Sequence, residues 1–158
     1  MLKYEGIFFE GKTADLIHSL EKTRLPRTND EIHCTFKYRP NSSEVFDNLV
    51  GKPIEVLIVG YACDGKNSGF ELQLPKEVMP YYINYDRVNP ETLIVPHITA
   101  SLAEGDEVKA SDTASLTFEK LQNPIAVTGR FGYWVEEENR EFVSYEQYNN
   151  SQEDVELQ

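Results

Sequence analysis

Cysteine is scarce in this chain. Cys34 and Cys63 are the two present, too few for a disulfide framework and without metal-type spacing. The ordinary reading of Cys34, on the apolar face of its strand, is a small buried side chain. No apolar run is long enough to cross a bilayer; the longest, around Val56-Leu57-Ile58-Val59, has the length of a strand. The first six residues, Met1-Leu2-Lys3-Tyr4-Glu5-Gly6, carry charges where a signal peptide has its apolar stretch. Together these absences predict a soluble chain in the cytoplasm, with no membrane partner. There is also no phosphate-cradling glycine loop, HExxH, paired CxxC or GxSxG elbow, which disfavours several common enzyme classes. No metal and no cofactor are expected.

Positive charge is in short supply. Fifteen Lys and Arg face twenty-seven Asp and Glu, a formal charge of −12. The acids are uneven, since residues 136–158 hold eight of them against one arginine. Long nucleic acid, which needs a basic surface, is a poor partner for such a chain. One segment runs the other way: Lys22, Arg24, Arg27, Lys37 and Arg39 surround His33. A small phosphate-bearing ligand would suit that local field, and so would a merely solvated basic loop.

What is present is enough for one packed domain. At 158 residues, 40% apolar and 11% aromatic, the chain can bury an ordinary core. We expect that domain over residues 1–145, with 146–158 a frayed acidic tail. Leu2–Glu10 reads as a strand ending at Gly11. Thr13 is placed to cap a helix with Leu16, Ile17 and Leu20 at helical spacing that stops before Pro26. His18 falls within that helix and is assigned no role. Pro40–Ser43 ends a strand, and Ser43 could cap a short turn through Val45, Phe46 and Leu49. Ile54–Tyr61 and Phe70–Leu74 flank a turn-rich loop as a hairpin. Pro75–Asn89 is irregular or strand. Ala114–Phe118, Pro124–Thr128, Arg130–Val135 and Glu141–Tyr145 read as strands, the last two joined by the acidic turn at Glu136–Asn139. Many strands and one clear helix indicate an α+β class with antiparallel sheet.

Two stretches share a pattern. In Ile32-His33-Cys34-Thr35-Phe36-Lys37-Tyr38 and in Pro96-His97-Ile98-Thr99-Ala100-Ser101-Leu102 apolar and polar residues alternate. Successive strand side chains point to opposite faces, so each His shares the non-core face with its Thr. One His-x-Thr is weak, because Thr is at home in strands and His tolerates a wet face. Two of them, holding two of the three histidines, support a functional reading. Cleaving a phosphodiester needs one group to take a proton from the nucleophile and another to give one to the leaving oxygen, and imidazole can do either near neutral pH. Thr35 and Thr99 could then hydrogen-bond the non-bridging oxygens. Lys37 adds a positive charge two residues further on, where Ser101 is the counterpart on the second strand.

The tetrapeptides His33-Cys34-Thr35-Phe36 and His97-Ile98-Thr99-Ala100 both fit H-h-[ST]-h, h being apolar. In this the chain resembles the 2H phosphoesterase superfamily. The resemblance implies a two-lobed arrangement of antiparallel β-sheets with few helices, the His-x-Thr strands lining a central cleft. It implies a metal-independent phosphodiesterase with His33, Thr35, His97 and Thr99 as its catalytic set. Family activities include opening 2′,3′-cyclic phosphates, trimming RNA ends and cleaving 2′–5′ linkages. Phage-encoded members degrade the cyclic oligonucleotide signals of bacterial immunity, and a short acidic chain like this is similar to them, which would place it in a host cytoplasm. The expected ligand is a small cyclic nucleotide or oligonucleotide. An RNA-processing 2′,3′-cyclic phosphodiesterase and a non-catalytic cyclic-nucleotide-binding protein are the alternatives. A third is an acidic interaction protein that engages a basic partner. Base recognition needs aromatic faces; of Tyr4, Phe8, Tyr81, Tyr82, Tyr133 and Trp134, the preferred substrate-binding pair is Tyr4 and Trp134, beside Lys37. Glu136–Glu138 could orient a histidine or be an exposed turn.

Overall fold

The computed structural model describes residues 2–38, 48–135 and 142–143. The short turn expected after Ser43, the acidic turn at Glu136–Asn139, most of the final strand and the tail from residue 146 lie outside the described residues.

Among the described residues eight strands form one antiparallel sheet: β1 (Leu2–Phe8), β2 (Arg27–Thr28), β3 (His33–Tyr38), β4 (Pro53–Cys63), β5 (Asn67–Gln73), β6 (His97–Leu102), β7 (Glu119–Val135) and β8 (Phe142–Val143). The described residues also form one α-helix, α1 (Gly11–Ser19), and two 3₁₀ turns at Lys76–Tyr81 and Ala110–Ser115. The α+β class with antiparallel sheet is what the sequence predicts. The strands make a single continuous sheet, though, where two were expected. No helix among the described residues is long and apolar enough to cross a membrane.

The pairing order β2-β6-β5-β4-β7-β1-β3 positions everything that follows. β2 and β3 stand at its two ends, yet only residues 29–32 join them in the chain. The sheet must therefore curl into a half-barrel until its ends meet. They do: Cα atoms of β3 and β6 come within 8 Å of one another, and the Asn29 N–H donates to the Ala100 carbonyl at 2.9 Å. Five antiparallel pairings separate β6 from β3 along the sheet, so the two run in opposite senses where they meet. Alternation in the strands sends Ile7, Cys34, Phe36, Val56, Ile58, Phe70, Ile98, Val127 and Phe131 into one core. Burying such side chains contributes about 1.5–3 kcal/mol each.

Three local expectations differ from the structure. Helix α1 begins at Gly11 with Glu10 as its cap residue and no side-chain cap, so Thr13 lies inside it. Gly11 makes the turn out of β1 with φ +55°, a conformation glycine adopts without strain. Ile17 is its fully buried residue, while Leu16 is exposed. Residues 114–118 are no strand, because Thr113 is drawn under the sheet by hydrogen bonds described below. The strands expected at Pro124–Thr128 and Arg130–Val135 are one strand, β7. Its pairing with β4 slips between Ile58↔Ile125 and Gly60↔Lys120, and Pro124 falls in that irregularity, where a strand tolerates a missing N–H.

Candidate active site

The two His-x-Thr strands are built alike. His33 Nδ1 donates to the Glu31 carbonyl at 2.9 Å, and His97 Nδ1 donates to the Val95 carbonyl at 2.7 Å. Each ring is thus pinned by the carbonyl two residues before it. Because a carbonyl can only accept, both neutral rings carry their proton on Nδ1 and present Nε2 as the basic nitrogen.

The strand beside each is alike too. Thr35 pairs with Gly6 of β1 and Thr99 with Gly69 of β5. A Cβ at Gly6 would lie 2.1 Å from the Cys34 carbonyl oxygen, and one at Gly69 would lie 2.5 Å from that of Ile98. Both glycines let a neighbouring backbone approach at the residue before the Thr. In the pairing order β3-β1-β7 runs in from one side and β6-β5-β4 from the other, with β2 an extra strand beyond β6. The Cys34 thiol takes a hydrogen bond from the His97 main chain. The thiol is fully buried and its pKa is pushed up to about 12. It is a packing group, as expected.

The environments of the two imidazoles differ. His33 stacks on Tyr4 at 4.5 Å and on Phe8 at 5.6 Å, and Tyr4 stacks in turn on Trp134 at 5.8 Å. His33, Tyr4 and Trp134 form a row, and Phe8 stacks on both His33 and Tyr4, the latter at 5.9 Å, which fixes the plane of His33. Tyr4 is only 7% exposed, so the face proposed for a base is given to His33 and Trp134. Trp134 is half-buried at the outer end of the row, and Lys37 is half-buried on the His33 face of β3. Burial pushes the His97 pKa below its ordinary 6.5, partly offset by the Val95 carbonyl. His97 is therefore neutral at pH 7.

That shift has a sign. Below about 6.5 the unfolded chain protonates His97 before the folded one does, so acidification through that window destabilises the fold. Taking the protein from about pH 7.5 to about pH 5.5 should lower its thermal midpoint, and His97→Gln should lose part of that drop. An identical drop in both proteins would contradict it.

The two threonines also differ. Thr35 is half-buried on the strand face beside His33. Thr99 is buried, its hydroxyl 2.8 Å from Thr113 Oγ1 and 3.2 Å from the Ala110 carbonyl. Asn67 Nδ2 donates to Thr113 Oγ1 at 3.0 Å and to the Lys109 carbonyl at 2.8 Å. The Thr99 proton is committed inward whichever partner takes it. Thr99→Ala should then cost stability, about 1–3 kcal/mol for a buried network left short of a partner. Thr35→Ala should cost about 10²-fold in turnover with little change in thermal midpoint. Equal loss of activity in the two variants would contradict this split.

The basic cluster disperses. Arg27 donates to the carbonyls of Ala103, Gly105 and Val108, and Arg24 pairs with Glu21 at 3.3 Å. Glu21 also accepts from Ser101 Oγ and contacts His18, whose other ring nitrogen bonds the Asn29 carbonyl. His18 is structural. Arg39 lies outside the described residues; among the rest of the cluster, Lys37 is the cation on the site face of β3.

Sequence reasoning missed Gly6, Gly69, Asn29, Asn67 and Thr113. Asn29 ties the strand ends together, its amide donating to the carbonyls of Thr99 at 2.7 Å and Glu31 at 3.0 Å. Only the spacing of each glycine from its turn could have hinted at any of them. Two open surface hollows lie elsewhere, one lined by Lys22, Tyr61 and Cys63, the other by His18, Arg24 and Asp30. Neither includes the paired histidines. The chain matches no protein-family model and no curated protein.

Proposed function

We propose that the chain is a 2H-type phosphodiesterase, two-lobed about the junction of β3 and β6, acting on a small cyclic nucleotide or oligonucleotide without a metal. The observation that carries this is the repeated placement of His33 and His97, each pinned through Nδ1 beside a threonine. His97, held neutral, takes the proton of the attacking hydroxyl or water on Nε2. The new P–O bond forms as the old one breaks, and His33, as imidazolium, gives its Nε2 proton to the leaving oxygen. Thr35 and Lys37 face the non-bridging oxygens, where transition-state charge gathers.

The test is a screen of cyclic di- and trinucleotides beside 2′,3′-cyclic mononucleotides, run in EDTA. Turnover unaffected by EDTA is expected, with the acidic limb of kcat/KM falling below pH 6.5 because the base must be neutral. Turnover abolished by EDTA would overturn the two-histidine mechanism. The inward commitment of Thr99 favours a second reading, a protein that sequesters such a nucleotide without cutting it; the ligand would then be recovered intact after denaturation.

A further inference from the structure

Residues 82–95 fold back as a two-stranded ribbon. Tyr85 bridges Leu93 in antiparallel sense, the Ile94 N–H donates to the Asn84 carbonyl at 2.8 Å and the Asp86 N–H to Thr92 at 2.9 Å. The tip is closed by Asp86 Oδ1, which accepts from the N–H groups of Val88 and Asn89. Inward, Tyr82 is buried against Phe36 and its hydroxyl donates to the Ile94 carbonyl. Outward, Ile83, Tyr85, Leu93 and Val95 alternate with it and are 38–47% exposed. Six of the eight large apolar side chains exposed among the described residues lie between 79 and 95. Concentration of this kind marks a binding surface, where scattered exposed leucines would not.

The ribbon adjoins the histidines. Val95 precedes His97 by two residues and its carbonyl pins that ring. The Ile83 N–H donates to the Phe36 carbonyl at 3.0 Å, and the Asn84 amide reaches the Thr35 carbonyl, which fixes the ribbon to β3 next to Lys37. Residues 110–115, by contrast, cover Thr99 through Ala110 and Thr113. We propose that the outward face of this ribbon is the subsite for a nucleobase of the ligand, which enters over the Thr35 and Lys37 end. This rests on the phosphodiesterase reading and names the part of the ligand that the histidines do not touch.

Size selects the occupant. The bridge register sets Ile83 across from Val95 and Tyr85 across from Leu93. Cross-strand Cβ atoms are about 5 Å apart, and alternate residues on a strand about 7 Å. Four side chains on that grid cover one bicyclic heterocycle, and base stacking on such a face is worth about 1–3 kcal/mol. A stable protein partner would need about 800 Å² on each side. Arg87 lies over the Tyr38 ring at 5.0 Å and puts a cation at the same edge.

The test is a titration of the full chain with adenosine 5′-monophosphate and with ribose 5-phosphate, which lacks the base. The wild type should bind the nucleotide at least about tenfold more tightly, a difference of about 1.4 kcal/mol. In Leu93→Ser and Tyr85→Ser that ratio should fall towards one, while the thermal midpoint holds because both side chains are exposed. Using the ratio cancels any general change at the phosphate site. Equal affinities in the wild type, or a ratio unchanged in both variants, would overturn the subsite. Failure of the wild type to bind either compound would overturn it together with the reading beneath it. Light scattering showing a dimer that Leu93→Ser dissociates would assign the face to a second copy of the chain instead.

Discussion

Alanine in place of either His33 or His97 should lower kcat on a cleaved cyclic phosphodiester by about 10²–10⁴-fold, the range for loss of one positioned acid or base. The fold should survive His97→Ala, since that ring is half-buried and its polar contact is to a carbonyl two residues away. His33→Ala opens a gap beside the stacked Tyr4 and Phe8 rings, so its thermal midpoint should fall as well as its rate. The double variant should be little worse than the weaker single one, because two groups that move protons in one step fail as a unit. Independent, multiplying losses would mean the rings do not share a transition state.

The second large effect is on folding. Gly6→Ala would set a Cβ 2.1 Å from the Cys34 carbonyl oxygen, and Gly69→Ala would set one 2.5 Å from the Ile98 carbonyl and 2.6 Å from the Thr113 methyl. Backbone that is paired on both sides cannot yield by such amounts without breaking the ladder. Overpacking costs about 1–3 kcal/mol where side chains can shift, and here the obstacle is main chain. Each variant should lose about 3 kcal/mol or more, lowering the thermal midpoint by roughly 10 °C for a chain of this size. Gly65→Ala, at a turn where a Cβ meets nothing within 4 Å but φ is +88°, should cost about 1 kcal/mol from backbone strain alone. If Gly6→Ala proved as stable as Gly65→Ala, the close approach of β1 to β3 would be wrong.

The strands and their faces were legible because a period of two needs nothing but the residues themselves. Ile98 and Ala100 went into the core and His97 and Thr99 to the other face, as their alternation requires, but Thr99 is buried there beneath residues 110–115. The helix was legible as a helix but not in its cap, since Gly11 reaches its conformation through the turn from β1. Long-range order was not legible. Ala114–Phe118 looks like a strand until Asn67 and Thr99, far away in sequence, claim Thr113. Tyr4 looks like a free aromatic until β1 pairs with β3 and lays it on His33. The ribbon at 82–95 stayed ambiguous because Pro90 and its tip residues obscure the alternation that Tyr82, Ile83, Asn84 and Tyr85 keep. The likeness between Gly6 and Gly69 appears only once the pairing register is known.

The most direct measurement follows the imidazole proton signals of all three histidines by NMR as adenosine 2′-monophosphate is added. His33 and His97 should shift together and saturate at one Kd, while His18, held between Glu21 and Asn29, stays still. Movement of one of the pair alone, or two different Kd values, would contradict the claim that both rings close on a single phosphate.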